Sequence, residues 1–284
     1  MLPYFSEAPT LLTVHDLVAL DYPEFCKNET AVYHKLFLPN SIAKAKKIIA
    51  VSHQVKEDII ARFNTDPSKI EVVHHGVGKE FTEIKSPRIL QKVSQKYQLP
   101  EKYILFVGNL EPRKNIENLI DAFVELKKHL DIEHKLVIVG AEGWKFHGIY
   151  TKVGQRKINN EIIFTGYADQ EDMPALYSLA DLFVFPSLYE GFGLPVLEAL
   201  ACKTPVLISN SGALPEVAGN VVPQVDRLDP RDVAEKILLL ITSDELKIRI
   251  ANYGIDRIKQ FTWEQSAQKT ITVYDQLLMN GVSA

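Results

Sequence analysis

The stretch Leu182-Phe-Val-Phe-Pro-Ser-Leu-Tyr-Glu-Gly-Phe-Gly-Leu-Pro-Val-Leu-Glu198 decides how this chain folds. Residues 182–185 are apolar without alternation, the pattern of a short strand buried on both faces. Pro186, Gly191 and Gly193 punctuate a loop. From Leu194 the apolar spacing becomes helical, with Pro195 tolerated in the first turn. A buried strand, a glycine loop and a helix in that order form one step of a parallel α/β fold.

The same step recurs on both sides. Apolar runs predict strands over 10–14, 47–51, 70–74, 103–107, 135–139, 161–164 and 205–208. Helical spacing covers 53–63, 116–130, 149–158, 171–178, 213–218, 229–242 and 244–260. Ser52 stands where an N-cap is needed. Phe261-Thr-Trp-Glu-Gln opens a last helix, with Thr262 as N-cap and Gln265 three residues on. Trp263 is expected in the core. Glycines at strand ends and no repeat of 20 to 50 residues indicate a doubly wound α/β sheet, whose ligands bind at the carboxyl ends of the strands. Residues 77–100, with Gly78, Pro87, Pro100 and many charges, read as a connection. The expected division is 1–85, 86–260 and 261–284. The first part supplies three strands, fewer than a free-standing doubly wound domain of about 100–150 residues would hold, so that domain is expected to be incomplete.

Composition narrows the class. The 284 residues are 46% hydrophobic and 24% charged, globular proportions for one large or two modest domains. With 32 basic and 36 acidic side chains the net charge is -4, against the basic excess of a general nucleic-acid binder. Two cysteines, Cys26 and Cys202, make no disulfide framework and suit a reducing compartment. The opening Met-Leu-Pro-Tyr-Phe-Ser-Glu lacks the pattern of a secretion leader, and no apolar run approaches the ~18 residues of a membrane span. A soluble, cytoplasmic protein is expected, with peripheral membrane association as an option. Lys44, Lys46 and Lys47 read first as a solvated helix end, and second as a contact for anionic lipid.

Two loops carry chemistry. Between 185 and 194, the glycines would let backbone N–H groups approach an oxygen-rich ligand at a helix N-terminus. Glu190 is expected exposed in that loop, and Glu198 on the helix facing the same crevice, both able to accept hydrogen bonds from sugar or ribose hydroxyls. The structural alternative is a capping loop with two solvated glutamates. Gly108-Asn-Leu-Glu-Pro-Arg-Lys-Asn115 likewise lies between a strand and a helix. There Arg113 and Lys114 suit a diphosphate; alternatively, they form an ordinary basic loop with Arg113 paired to Glu111. His74-His75 lacks a carboxylate or cysteine at ligand spacing, so these are read as strand-end residues and no metal site is expected.

Together these residues resemble the retaining GT-B glycosyltransferases of family 4, also called glycosyl transferases group 1. Glu190 and Glu198 reproduce the family's Glu-x7-Glu signature. Val107 to Asn115 resembles its phosphate loop in the mannosyltransferase-like form. Phe164-Thr-Gly-Tyr, Ala180-Asp-Leu-Phe-Val-Phe-Pro-Ser and Gly212-Ala-Leu-Pro-Glu-Val match as well. The resemblance implies two Rossmann-like domains facing a cleft, the first incomplete and joined by the last helix. It implies metal-independent transfer of a hexose, with mannose suggested, from a nucleoside diphosphate sugar such as GDP-mannose to a glycan or lipid-linked acceptor in polysaccharide synthesis. No cofactor beyond the donor is expected.

Residue by residue, the resemblance makes Arg113 and Lys114 the neutralisers of the diphosphate, beside Gly108 and Asn109. It makes Glu190 the holder of donor-sugar hydroxyls, with Gly191, Phe192, Gly193 and Leu194 around sugar and phosphate. Glu198 would bind the ribose and Tyr167 border the base. Gly76 would line the cleft, and His15, in Val-His-Asp-Leu, would face the donor sugar, though a structural histidine is as good a reading. Two departures matter. Asn109 stands where the common family loop has arginine. The family's opening strand and glycine-rich loop have no counterpart before Leu11, as if about 100 residues were missing. A catalytically incomplete nucleotide-sugar-binding subunit that needs a partner chain is therefore the alternative function.

Overall fold

The computed structural model describes residues 8–129 and 132–279. The leader reading at residues 1–7 and the expected helix end at Leu130 lie outside the described residues. The chain divides into two compact units. One comprises residues up to Gly76, Tyr189–Phe192 and the chain from Phe261 onward; the other is Val77–Leu188 with Gly193–Gln260. The expected boundary at 85/86 thus falls at 76/77, and four residues of the glutamate loop group with the first unit.

The first unit runs β1 (Leu11–Val14), α1 (Val18–Asp21), α2 (Asn28–Lys44), β2 (Lys47–Ala50), α3 (His53–Phe63) and β3 (Ile70–Val72). The strands pair in parallel in the order β1-β2-β3, Leu12 opposite Ile48 and Ile48 opposite Ile70. Parallel neighbours need a crossover, which α3 supplies between β2 and β3. Its start is fixed by Ser52, whose hydroxyl accepts from the Val55 amide at 3.1 Å. The 17-residue helix α2 was not expected. It buries only Leu38, Ser41 and Ile42 and contains Pro39, so neither a continuous apolar stripe nor an unbroken propensity marks it.

The second unit is larger. It contains α4 (Pro87–Tyr97), β4 (Tyr103–Val107), α5 (Ile116–His129), β5 (Lys135–Val139), α6 (His147–Arg156), β6 (Ile162–Gly166) and α7 (Met173–Leu179). It continues with β7 (Leu182–Phe185), α8 (Leu194–Ala201), β8 (Val206–Ser209), α9 (Leu214–Ala218), β9 (Gln224–Val225), α10 (Pro230–Thr242) and α11 (Asp244–Ile258). The reading of 77–100 as irregular is corrected by α4. Pro87 opens it without needing an amide partner; the helix is strongly amphipathic, and it was the surrounding prolines and charges that made the segment read as a connection. All six strands are parallel in the order β6-β5-β4-β7-β8-β9. Chain order reverses between β4 and β7, the doubly wound arrangement in which ligands bind outside the carboxyl ends at that point. Ile104, Leu105, Phe106, Val137, Ile138, Phe183 and Val184 are fully buried.

The last helix, α12 (Trp263–Met279), belongs to the first unit, where Val273 packs with Ile49 and Val73. Thr262 caps it, accepting from the Gln265 amide at 3.2 Å. Trp263 corrects the expectation of a core residue: it is 47% exposed, laid against the His75 ring at 5.6 Å. Both cysteines are free thiols. No helix among the described residues is long and apolar enough to cross a membrane.

Candidate functional site

In the second unit the loops after β4 and β7 leave adjacent parallel strands, and hydrogen bonds lock them together. The Leu188 amide donates to the Arg113 carbonyl (2.8 Å), and the Asn115 side-chain amide donates to the Pro186 carbonyl (3.0 Å). From β8 and the turn after it, the Ser209 and Ser211 hydroxyls donate to the Ser187 and Leu188 carbonyls at 2.6 Å each. Asn115 and Asn118 also donate to the Arg227 carbonyl at 2.7 Å, and the Arg227 guanidinium donates to Ser211. Buried backbone polar groups need such partners. Here they come from the ends of four strands, β4, β7, β8 and β9, so the loops are held as one body. Asn115, Ser209, Ser211 and Arg227 were not singled out from sequence; only their position just beyond apolar strands hinted at them.

The structure brings Arg113 and Lys114 into a tight turn, Pro112–Lys114, closed by Asn115 in the left-handed region (φ 58°). Arg113 pairs with the buried Glu111 at 2.7 Å, as the structural alternative expected. Lys114 is 8% exposed and its ammonium lies 4.7 Å from the centre of the Phe185 ring, a favourable position for a cation over a π face. Gly108 ends β4, its amide bound to Val139 O at 2.8 Å. Asn109 is exposed, and Tyr167, beyond β6, is 72% exposed.

Gly193 caps α8 with φ 106°, and a Cβ there would come within 2.6 Å of Leu214. Both facts demand glycine. Leu194 begins the helix, and Glu198 follows one turn on. Glu198 is largely buried and accepts from the Tyr177 hydroxyl at 2.9 Å. Burial raises its carboxyl to about 7; the Tyr177 hydrogen bond opposes the rise and Glu80 adds to it. The solvated glutamate of the structural alternative is therefore absent at this position.

The first unit holds Glu190, Gly191, Phe192, Gly76 and His15. Glu190 corrects the expectation of exposure: it is 8% exposed. The residues on either side of it are tied to the first unit. The Ser52 hydroxyl donates to the Gly191 carbonyl at 2.8 Å, and the Tyr189 hydroxyl donates to Asp58. Gly191 sits so close to the His15 carbonyl that a Cβ would be 1.9 Å from it. Gly76 is likewise pressed on the backbone of Thr262 and Trp263. His15 is exposed, and its ring stacks on His75 with centroids 5.4 Å apart and planes 18° from parallel. His75 also meets Phe192 (5.1 Å). Burial, with His15 and His74 beside it, lowers His75 to about 4. His74 packs between Phe192 and Phe261. Of the lysine cluster, Lys47 is engaged with Ser68 O and Glu71, while Lys44 and Lys46 are exposed.

Comparison with known proteins gives these geometries a context. Residues 89–257 match the family described as Glycosyl transferases group 1, and residues 2–81 match Glycosyltransferase Family 4. The chain is 34% identical over 266 residues to the O-antigen chain mannosyltransferase B of Escherichia coli, covering 93% of this chain and 70% of that one. It is 30% identical over 284 residues to a serotype-specific mannosyltransferase WbdA of the same species, of which it spans 34%. Among solved structures, a sucrose-phosphate synthase from Thermosynechococcus elongatus superposes with a TM-score of 0.79 at 25% identity, over 95% of this chain and 68% of that one.

Proposed function

The chain belongs to the glycosyl transferases group 1 family, with the GT-B type of α/β fold, and on that premise we propose that it transfers mannose from GDP-mannose to a growing glycan or lipid-linked acceptor with retention of anomeric configuration. The observation that carries the proposal is the joint made by Leu188 N and Arg113 O at the point where strand order reverses. Within the second unit it ties the loop that carries Arg113 and Lys114 to the loop that leaves β7, at the sheet edge where the doubly wound fold binds its ligands.

In this reading the diphosphate meets Arg113 and Lys114. A leaving diphosphate gains charge as the glycosidic bond breaks, and fixed cations stabilise that charge without a reorganising solvent. A cation and a guanidinium fork would supply the neutralisation that a metal supplies elsewhere. Glu198 receives the ribose hydroxyls, with Asn109 and Gly108 beside the phosphates and Tyr167 bordering the base. Family resemblance carries the sugar-facing role to Glu190 and His15, and the backbone from Gly191 to Leu194 lines sugar and phosphate. The named relatives being mannosyltransferases supports mannose. No cofactor besides the donor enters this scheme.

The test is transfer of labelled mannose from GDP-mannose to an O-antigen-type lipid-linked acceptor, with Glu190→Ala in parallel. The variant is expected to lose most of the activity, at least roughly a hundred-fold, the scale of removing one group that acts in the transition state. Near-normal turnover by Glu190→Ala would overturn the site assignment. The anomeric configuration of the product decides retention.

A further inference from the structure

Glu198 sits on a helix of mostly apolar residues, and a carboxylate there has two needs. Its terminal torsion is broad and two-fold, so nothing intrinsic fixes which way its oxygens face. Its charge is disfavoured by burial, so its ionisation depends on a donor. One side chain answers both. Tyr177 is fully buried, and its hydroxyl donates to Glu198 Oε2 at 2.9 Å.

Tyr177 is itself held at three places. Its ring packs against Phe183 (5.5 Å) and Phe81 (6.2 Å). Its carbonyl accepts from the Thr204 hydroxyl at 2.7 Å, and the Thr204 amide is bound to Ala199 O at 3.0 Å in α8. One residue earlier, the Leu176 carbonyl accepts from the buried Tyr103 hydroxyl at 2.7 Å. Tyr177 therefore spans α8, touching Glu198 at its hydroxyl end and the chain just after the helix at its carbonyl end. A tyrosine meant only to fill space would be equally served by phenylalanine.

We propose that Tyr177 is a positioning residue for nucleotide binding, its hydroxyl orienting the Glu198 carboxylate toward the ribose and holding it ionised. The inference rests on Glu198 as the ribose-binding group. The titratable groups acting on Glu198 are Tyr177 on α7, Cys202 just beyond α8 and Glu80 in the segment before α4. Elsewhere α8 meets its neighbours through apolar contacts, Leu200 against Gly254 of α11 and Gly193 against Leu214. With the Tyr177 hydroxyl removed, the one interaction that favours the charged form is lost, so Glu198 titrates at higher pH. A carboxylate accepts from two ribose hydroxyls only when ionised, so affinity for the ribose form is present above its pKa and lost as pH falls through it.

Calorimetric titration of the full chain tests this, first with GDP, UDP and ADP, then with the 2′,3′-dideoxy analogue of whichever binds best. The wild type is expected to prefer the ribo form, and to lose that preference as pH falls below about 7. Tyr177→Phe is expected to reduce the preference roughly ten-fold at neutral pH, the scale of a hydrogen bond to a charged group, and to move the midpoint upward. Glu198→Gln should abolish the pH dependence, and adding Tyr177→Phe to it should change nothing further. Wild-type affinity equal for ribo and dideoxy forms, or absence of binding by all three nucleotides, overturns the Glu198 reading and the proposal with it. A wild-type preference that Tyr177→Phe keeps, with an unmoved midpoint, overturns the role of Tyr177 alone. Equal weakening of both forms, or loss of the thermal transition in Tyr177→Phe, assigns the hydroxyl a purely structural role and also overturns it.

Discussion

Two partly buried titratable residues, one in each unit, make the stability of the chain depend on pH in opposite directions. His75 is lowered to about 4 by burial and by His15 and His74. Between its unfolded value near 6.5 and 4, the unfolded chain binds a proton that the folded chain refuses, so stability falls as pH drops through that window. Glu198 is raised to about 7. Between the unfolded value near 4.5 and 7, the folded chain holds the extra proton, so stability falls as pH rises there. Urea unfolding at pH 5 and pH 8 separates the two. His75→Phe is expected to gain on the wild type at pH 5 and Glu198→Gln at pH 8, each by on the order of 1 kcal/mol or more. Neither titration was legible in the sequence. The Glu190 and Glu198 spacing was, but their burial was not: the residues that tie down the Glu190 loop, Ser52 and Asp58, and the partner of Glu198, Tyr177, lie far away along the chain. Tyr177 reads in sequence as one more apolar position of a short helix.

At the scale of elements, the strands of the second unit were legible because parallel strands buried on both faces are unbroken apolar runs. β4, β5 and β7 run where the sequence predicts them. α2 and α4 were missed for different reasons: α2 buries too few side chains to print a period, while the amphipathic run of α4 lies among charges and between Pro87 and Pro100, which read as a connection. In α2, Val32 and Leu36 are 56% and 65% exposed, and Pro39 adds a false stop. Caps were legible at Ser52 and Thr262, since a short polar side chain ahead of an amphipathic run has few other uses. Ser52 has a second one. Its hydroxyl accepts from Val55 and donates to the Gly191 carbonyl at 2.8 Å, so one atom starts α3 and pins the glutamate loop. Ser52→Ala should therefore cost about 2 kcal/mol, a cap and a buried hydrogen bond together. Ser243→Ala removes only the cap of α11 and should cost about 1 kcal/mol. Chemical denaturation of both variants checks the difference; equal losses would mean that the bond to Gly191 contributes nothing.

At the scale of the molecule, the units differ in what each contains. The second has six parallel strands in doubly wound order, helices between them and a core of fully buried side chains on β4, β5, β7 and β8. It also holds Arg113 and Lys114, the cations proposed for the diphosphate, and Glu198, the group proposed for the ribose, with Tyr177 beside it. The first has three strands, but it groups with Tyr189–Phe192, which it fixes through Ser52, Asp58 and the His15 backbone. Residues 77–260 expressed alone should accordingly fold with a cooperative thermal transition and bind a nucleoside diphosphate within about three-fold of the whole chain, a difference below 1 kcal/mol. That piece keeps the Glu190 loop in its sequence but lacks Ser52, Asp58 and His15, so the loop loses its fixed conformation. Any extra affinity the whole chain shows for the nucleotide sugar over the bare diphosphate should then disappear from the fragment. Calorimetry with GDP and GDP-mannose on both proteins reads the two quantities side by side. A fragment that retains the sugar preference would show that the loop needs no support from the first unit; one that folds but loses GDP would place the phosphate contacts outside residues 77–260.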